Sequence, residues 1–365
     1  MSISKRLQNL VKTFSSNGSG TLVVTATLPP RTQALIKSLE SSTSGKFKLI
    51  QWRNEQRPTR NELLNLVQGA SGVLCMLTDK IDGELIRAAG PQLKVVSTMS
   101  VGYDHINTKV LHENNILIGN TPGVLTNATS DIAALLLLGA ARRAKEGVDA
   151  VENSKWGVWN PNWLLGVEFS GKTLGIVGLG GIGAATAARL IPFGFSKILY
   201  SGSRQHKEKE ALLADIHRSV SNFNTSQGLS TDCFECKFVS TDLLIKESDV
   251  VILCCALNEN TRMLINKSNI NDFKQGGILI NPARGPIVDP EALLHGLESN
   301  RLFAAGLDVT DPEPIKADDP LVSHPRCFIM PHLGSATVET REAMSDLALE
   351  NLLAGVLGDK LTASV

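Results

Sequence analysis

The 365-residue sequence has no long apolar run, no surplus of either charge and few aromatic residues. Its longest apolar stretches, 132–141 and 250–257, fall well short of the roughly 20 residues that a membrane-spanning helix needs. Lysine plus arginine and aspartate plus glutamate each number 36, so the formal net charge is zero. A balanced charge argues against a partner such as nucleic acid, which requires a basic surface. We therefore expect neither a membrane nor a nucleic-acid partner.

Cysteine is also scarce, with six residues in the chain. Several of them lie inside apolar, strand-like runs, which fits reduced core thiols better than a disulfide framework. Cys233 and Cys236 form a CxxC pair, but no second pair stands at zinc spacing. The cysteines therefore predict a reducing compartment, such as the cytoplasm, and no metal site.

Residues 1–20 contain no acidic side chain, and Lys5, Arg6 and Lys12 are basic. With several serines, this composition is typical of a mitochondrial transit peptide. The other interpretation, which we favour, is a frayed polar tail ahead of the first strand. We expect a flexible or targeting tail over residues 1–20.

Short β-branched runs alternate with amphipathic stretches along the rest of the chain, which predicts parallel sheets covered by helices. A long helix is predicted from about Ser130 to Val151 and another over Ser335–Leu357, whereas 214–235 has the composition of an inserted surface loop. Two shorter helical patterns cover Thr32–Leu39 and Arg60–Val67. The predicted strands are Leu22–Ala26, Lys48–Trp52, Val73–Met76, Val95–Thr98, Ile116–Ile118, Thr173–Val177, Lys197–Ser201, Lys237–Val239, Val250–Leu253, Gly277–Asn281, Phe303–Asp308 and Cys327–Met330.

A G-x-G-x-x-G motif directly follows one predicted strand and precedes a helical pattern. Gly178 permits a tight turn, Gly180 lets the backbone approach a pyrophosphate, and Gly183 lets the helix pack closely on the strand. Free N–H groups at the helix start then bind the negative charge. The motif predicts a dinucleotide site at Gly178, Gly180, Gly181, Ile182 and Gly183.

The residues after the next strand decide between NAD and NADP. A site for NAD has an acidic residue about 20 residues beyond the motif, where it binds the ribose hydroxyls. The tip of this segment carries Ser203, Arg204, Gln205 and His206 and no carboxylate. These groups suit a 2′-phosphate, which an acid would repel. The segment favours NADPH, with NADH used less efficiently; the alternative is that Arg204 points into solvent.

Three residues that could take part in catalysis follow later predicted strands: Arg284, Glu313 and His332. Open parallel sheets bind ligands at the carboxyl ends of their strands, where all three are expected. Reduction of a 2-oxo acid by hydride needs a carboxylate anchor, a proton donor and a group that keeps the donor protonated. Arginine, histidine and glutamate fill these roles in turn. The set predicts an oxidoreductase.

The sequence resembles the D-isomer-specific 2-hydroxyacid dehydrogenases from about residue 20 to 360. The runs that carry the resemblance are Gly178–Gly183, Asn281-Pro282-Ala283-Arg284-Gly285, Gly306–Pro314 and Pro331–Thr337. Within the family it is similar to the glyoxylate/hydroxypyruvate reductases of animals through Val95–Gly102, Trp156–Leu164 and Asn351–Gly355. The resemblance implies an α/β fold of two Rossmann-like or flavodoxin-like parallel-sheet domains with a catalytic cleft between them. It assigns 21–125 and 336–365 to the substrate domain and 126–335 to the dinucleotide-binding domain.

The resemblance also implies roles for individual residues. Arg284 would bind the substrate, and His332 would be the acid/base paired with Glu313. Val101, Gly102, Ser335 and Trp159 would contact the substrate, with Trp159 reaching the neighbouring subunit of a homodimer built on the helix Ser130–Val151. Thr129 would approach the phosphates, and the nicotinamide half would be lined by Ala256, Pro282, Asp308 and Gly334.

Two features depart from the family pattern: the insertion at 214–235 is longer than the usual connection, and Ser203 stands where an arginine is expected after Gly202.

Other activities within the family remain as alternatives, namely those of phosphoglycerate, formate and D-lactate dehydrogenases. A dinucleotide-sensing co-repressor of the same fold is a non-enzymatic alternative. The sequence predicts reduction of glyoxylate to glycolate and of hydroxypyruvate to D-glycerate.

Overall fold

The structure is a computed structural model that describes residues 4–42, 47–228 and 233–365. It divides into two compact units, one of Met1–Leu125 with Ala336–Val365 and the other of Thr126–Ser335. None of the helices in the described ranges is both long enough and apolar enough to cross a membrane. The elements in chain order are α1 (Lys5–Asn17), β1 (Gly20–Val24), α2 (Pro30–Ser42), β2 (Phe47–Gln51), α3 (Arg60–Leu66), β3 (Gly72–Cys75), α4 (Gly83–Ala89), β4 (Val95–Thr98), α5 (Thr108–Glu113), β5 (Leu117–Gly119), α6 (Thr126–Ala141), α7 (Ala144–Glu152), β6 (Thr173–Val177), α8 (Gly181–Leu190), β7 (Lys197–Ser201), α9 (Lys207–Ser226), β8 (Glu235–Phe238), α10 (Thr241–Glu247), β9 (Val250–Leu253), β10 (Gly277–Asn281), α11 (Pro290–Glu298), β11 (Leu302–Leu307), α12 (Pro320–Ser323), β12 (Cys327–Ile329) and α13 (Val338–Leu357).

Each unit is built on one parallel sheet, which confirms the predicted α/β class. The first sheet has the order β2-β1-β3-β4-β5 and the second β12-β11-β10-β9-β6-β7-β8. Every predicted strand is present, with ends that differ by at most two residues. Helices cover both faces of the second sheet, so a central strand such as β9 is apolar throughout: Val250 and Ile252 pack into one core cluster, Val251 and Leu253 into the other.

The last helix, α13, packs on the sheet of the first unit. Glycine makes the approach close, because a Cβ on Gly355 would lie 2.6 Å from the Cβ of Val95. The hydroxyl of Ser97 donates to the carbonyl of Ala348 at 2.8 Å. The C-terminal segment is thus part of the first unit's core.

The prediction of a frayed tail before the first strand is wrong for the described residues. Residues 5–17 form α1, which begins at the cap Ser4 and buries Leu7, Leu10 and Phe14. The hydroxyl of Ser4 also donates to Glu350 of α13 at 2.6 Å. Lys5, Lys12 and Ser16 are exposed, while the apolar spacing supplies a packed inner face. Residues 1–3 lie outside the described part.

The single long helix predicted over Ser130–Val151 is instead two helices. The break falls at Arg143, whose φ of 56° is left-handed and incompatible with a continuous helix. The N–H of Val167 donates to the carbonyl of Ala141 at 3.0 Å, which satisfies the end of α6. The guanidinium of Arg143 then pairs with Glu146 in the first turn of α7.

Most of the predicted loop at 214–235 is helix, because α9 continues to Ser226. Leu213 is buried, and Ile216 and Val220 pack against the core at helical spacing. This apolar stripe outweighs the low helix propensity of the intervening serine and asparagine residues. Residues 229–232 lie outside the described part of the chain.

Candidate active site

The glycine motif forms a tight connection between β6 and α8. Gly178 has a φ of +97°, and a Cβ there would lie 2.9 Å from the backbone of Cys254. A Cβ on Gly183 would lie 2.1 Å from the carbonyl oxygen of Gly178. A Cβ on Gly180 would meet no atom within 4 Å. Two glycines are therefore needed for packing, whereas Gly180 leaves its backbone open to a ligand.

The motif lies where the order of the second sheet changes direction. The strands β6 and β9 are adjacent, yet β7 and β10 lie on opposite sides of this pair. Such a position in a parallel sheet is the usual binding site of a dinucleotide. Gly180 caps α8 without a side-chain hydrogen bond, so the first backbone N–H groups of that helix can bind an anion. These features fit a pyrophosphate.

Two helices hold this loop in place from the side. The hydroxyl of Ser130 on α6 lies 3.2 Å from the carbonyl of Ile182, and a Cβ on Gly181 would lie 3.7 Å from the hydroxyl of Thr126. The ammonium of Lys209 on α9 donates to the carbonyl of Leu179 at 2.8 Å. The sequence reasoning missed Lys209, because it lies outside the motif and follows the predicted phosphate segment.

The segment after β7 contains the four residues predicted to select the cofactor. Ser203 and Arg204 are exposed, and among the described residues none is hydrogen-bonded to their side chains. The amide of Gln205 donates to Glu210 at 2.9 Å, and the ring of His206 lies 3.3 Å from Glu208. Gln205 and His206 thus already have carboxylate partners.

His332 and Glu313 form a direct pair at the carboxyl ends of β11 and β12. Nδ1 of His332 lies 2.5 Å from Oε1 of Glu313. Burial alone would raise the pKa of Glu313, but the hydrogen bond and charge of His332 outweigh it and lower that pKa below its ordinary value. The charge of Arg284 acts in the same direction. Glu313 is therefore ionised and can only accept, so the proton of this hydrogen bond belongs to Nδ1.

Asp308 holds the segment that carries His332. Its two carboxylate oxygens accept the N–H groups of Leu333 and Gly334, each at 2.7 Å, and its carbonyl accepts that of His332 at 2.8 Å. His332 has a φ of 54°, which non-glycine residues seldom adopt. Burial raises the pKa of Asp308, although its two backbone donors oppose the shift. The carboxylate thus fixes the backbone that follows His332, and the Asp308 carbonyl fixes the N–H of His332 itself.

Thr129 and Ser335 lie beside the backbone segment that Asp308 holds. The hydroxyl of Thr129 donates to the carbonyl of Gly334 at 3.0 Å, and Ser335 is buried beside it. A Cβ on Gly334 would lie 3.0 Å from Asp308. The structure therefore brings together six of the predicted site residues: Thr129, Asp308, Glu313, His332, Gly334 and Ser335.

Arg284 follows β10, the strand next to β11. The buried Asn281 side chain shapes this turn, since its amide donates to the carbonyl of Arg284 at 2.8 Å and its oxygen accepts the N–H of Ala283 at 3.1 Å. Nη1 of Arg284 donates to the carbonyl of Ala283 at 2.9 Å. Asn281 is a positioning residue that the sequence analysis missed, although a polar residue between an apolar strand and a proline could have indicated it. Pro282 in this turn is buried.

Two further predicted residues, Ala256 and Trp159, lie in the same unit. Ala256 follows β9, and its carbonyl accepts the hydroxyl of Thr261 at 2.7 Å. Trp159 is 80% exposed in the segment between α7 and β6. In the described ranges, no group of three or more His, Cys, Asp or Glu side chains could hold a metal ion.

Val101 and Gly102 follow β4 in the first unit. The carbonyl of Val101 accepts the amide of Asn120 at 3.0 Å, and that of Gly102 accepts the hydroxyl of Ser100 at 2.7 Å. Within the described ranges, no residue accepts a hydrogen bond from the N–H of Val101 or Gly102. Both N–H groups can therefore bind an acceptor from a ligand.

Comparison with known proteins identifies the family. The family described as D-isomer specific 2-hydroxyacid dehydrogenase, NAD binding domain, matches residues 134–334. The chain belongs to this family. The predicted relationship is thus confirmed, and the enzyme is an NAD(P)-dependent oxidoreductase that acts on a CH–OH group.

Individual relatives cover nearly the whole chain. The glyoxylate reductase/hydroxypyruvate reductase of Mus musculus is 39% identical over 94% of this chain and 96% of its own length. That of Homo sapiens is 40% identical over 86% and 90%. An NADPH-dependent glyoxylate/hydroxypyruvate reductase from Sinorhizobium meliloti, solved with NADP and malonate, is 27% identical with a TM-score of 0.73, covering 94% of this chain and 96% of that one.

Proposed function

We propose that this dehydrogenase uses NADPH to reduce small 2-oxo acids, glyoxylate to glycolate and hydroxypyruvate to D-glycerate. The observation that carries the proposal is the 2.5 Å contact between His332 and Glu313, with the charge of Arg284 close enough to act on Glu313. The names of the mammalian and Sinorhizobium relatives support the two substrates.

In the proposed reaction, His332 is the general acid and Glu313 keeps it charged. Because Nδ1 donates to Glu313, Nε2 carries the proton that is given to the substrate oxygen as it becomes an alkoxide. The ionised Glu313 stabilises the imidazolium and fixes the ring's orientation. A bound nicotinamide dinucleotide supplies the hydride. In the reverse direction, Nε2 of neutral His332 accepts the proton of the hydroxyl.

Arg284 is the proposed anchor of the substrate carboxylate. A guanidinium presents parallel N–H donors that match both oxygens of a carboxylate. Asn281 sets the backbone from which Arg284 projects. The N–H groups of Val101 and Gly102 are proposed as further donors to the substrate, because they have no described acceptor.

The proposed preference for NADPH rests on the segment after β7. Ser203 and Arg204 are exposed there, and no described carboxylate pairs with either side chain. The two acids in the first turn of α9 have partners: Glu210 accepts from Tyr200 and Gln205, and Glu208 faces His206. Both carboxylates of this turn thus already contact neighbouring side chains near the position where a 2′-phosphate would lie.

We also propose that the enzyme is a homodimer that pairs through α6 and α7. Leu135 and Leu138 on α6 and Val148 and Val151 on α7 are exposed, and a concentration of exposed apolar side chains is typical of an interface. Sedimentation should give twice the chain mass, and Leu138→Asp with Val148→Asp should halve it. Phe223→Asp on α9 is the control, because it alters an exposed apolar residue elsewhere and should leave the mass unchanged. A wild-type monomer would contradict the proposal.

The decisive experiment on the substrate combines acceptor choice with product stereochemistry. Purified enzyme and NADPH are given hydroxypyruvate, glyoxylate, pyruvate or 3-phosphohydroxypyruvate, and the glycerate is analysed on a chiral column. We expect turnover of the first two acids and D-glycerate as product. Faster turnover of pyruvate or of the phosphorylated acid would move the assignment to a lactate or phosphoglycerate dehydrogenase. No turnover of any acid would favour a dinucleotide-sensing co-repressor.

A further inference from the structure

We propose that Lys209 determines the enzyme's preference for a dinucleotide with a 2′-phosphate. This inference rests on the proposed function, in which NADPH is the cofactor, and adds a residue that the sequence motifs do not include. Its basis is the position of the Lys209 ammonium between the glycine motif and the segment 203–206.

Lys209 joins two parts of the dinucleotide site that are 30 residues apart in sequence. It lies in the first turn of α9, directly after the exposed segment 203–206, and its Nζ donates to the carbonyl of Leu179 at 2.8 Å. Leu179 stands between Gly178 and Gly180 in the glycine motif. The side chain therefore connects the loop that would hold the pyrophosphate with the segment that would hold the adenosine ribose.

The ammonium has unused capacity for an anion. It carries three N–H donors, of which one is used by Leu179. In the part of the chain that the structure describes, no carboxylate oxygen lies within the 4 Å of an ion pair with Nζ. Its acidic neighbours contact other side chains, Glu208 that of His206 and Glu210 those of Tyr200 and Gln205, although the charge of Lys209 still contributes to lowering the pKa of Glu208. A phosphate is a suitable acceptor for the remaining donors.

Lys209 is better suited to this task than the other nearby cations. Arg204 is exposed and lacks a described partner, so ordering its side chain around a phosphate would cost entropy and salt would screen its charge. His206 already faces a carboxylate. Lys209 is only partly exposed and is held by the Leu179 carbonyl, so its charge is already in place.

The test measures binding of two adenosine nucleotides by calorimetry, without turnover. Adenosine 2′,5′-bisphosphate carries the 2′-phosphate, and AMP lacks it. We expect Lys209→Met to raise the Kd for the bisphosphate at least about tenfold, or about 1.4 kcal/mol, and to leave the Kd for AMP within about twofold. Lys209→Arg should retain most of the discrimination. Lys207→Met is the matched control, since it removes an exposed charge from the same turn, and both Kd values should stay within about twofold.

The outcomes separate this inference from the proposed function. Equal weakening of both nucleotides by Lys209→Met would show that Lys209 only supports the loop, and would overturn the inference. An effect no larger than that of Lys207→Met, or the same loss in Lys209→Arg, would also overturn it. A wild-type enzyme that binds both nucleotides equally would instead contradict the NADPH preference itself. Thermal unfolding of each variant verifies that it is folded.

Discussion

The imidazole Nδ1 of His332 lies 2.5 Å from Oε1 of Glu313, although the two residues follow different strands. The contact forms because β11 and β12 are adjacent and parallel, so their carboxyl ends meet at one edge of the sheet. Asp308 fixes the backbone after His332 from the same edge. The two adjacent strands therefore bring His332 and Glu313 together, and the proposed role of the pair can be tested by substitution.

His332→Ala should lower kcat by about 10² to 10⁴, because the alkoxide then lacks a positioned proton donor. The measurement is steady-state oxidation of NADPH with saturating hydroxypyruvate. His295→Ala removes an exposed histidine from α11 and should leave kcat unchanged. An unchanged kcat in His332→Ala would remove this residue from the mechanism.

Glu313→Gln should move the basic limb of the pH profile for reduction to lower pH. Reduction needs the imidazolium, and the neutral amide no longer stabilises its charge. The loss of kcat should thus be larger at pH 8 than at pH 6. A uniform loss at both values would mean that Glu313 only orients the ring.

The same carboxylate should affect stability in acid. The pKa of Glu313 is lowered in the folded protein, so ionised Glu313 stabilises the fold above its unfolded pKa of 4.5. This contribution is lost as the pH falls through the lower folded value. Urea unfolding should therefore show a larger loss of stability between pH 6 and pH 3 in the wild type than in Glu313→Gln. Identical losses would contradict the lowered pKa.

Arg284→Ala should raise the KM for both acids by about 10- to 150-fold, the equivalent of 1.5–3 kcal/mol for hydrogen bonds to a charged group. Arg284→Lys should recover only part of this, because an ammonium lacks the parallel donors. The measurement is KM at saturating NADPH. A normal KM in the alanine variant would place the carboxylate elsewhere.

Two glycines of the motif should respond differently to alanine. Gly183→Ala should destabilise the fold by at least about 2 kcal/mol, because its Cβ would lie 2.1 Å from the backbone oxygen of Gly178. Gly180→Ala has open space and should unfold like the wild type, yet weaken NADPH binding at least about tenfold. Thermal unfolding and fluorescence titration measure the two effects. Unchanged NADPH binding in Gly180→Ala would contradict the site.

Residue patterns in the sequence were sufficient for the strands but not for every helix. Apolar runs such as Val250–Leu253 are unmistakable because both faces of the sheet are covered. In contrast, α1 was mistaken for a tail because its composition is basic, and only its docking on α13 explains the spacing of Leu7 and Phe14. The break at Arg143 depends on a backbone contact from the distant Val167, which no local pattern indicates.

The residues of the candidate site, like the elements of the fold, could be predicted from the sequence only in part. Arg284, Glu313 and His332 stand out because each follows a strand of one sheet. The partners of the segment 203–206 could not be inferred, because Glu208 and Glu210 belong to the following helix turn and their directions depend on its packing. The role of Lys209 could not be predicted for the same reason, because its contact with Leu179 exists only after α8 and α9 pack together.

The most direct test of the account is oxidation of NADPH and of NADH in parallel, with hydroxypyruvate and then glyoxylate as acceptor. We predict turnover of both acids and a kcat/KM at least about tenfold higher with NADPH, which corresponds to about 1.4 kcal/mol. Preference for NADH would contradict the cofactor assignment and leave the His332–Glu313 pair in place. No turnover with either acid would contradict the proposed reaction itself.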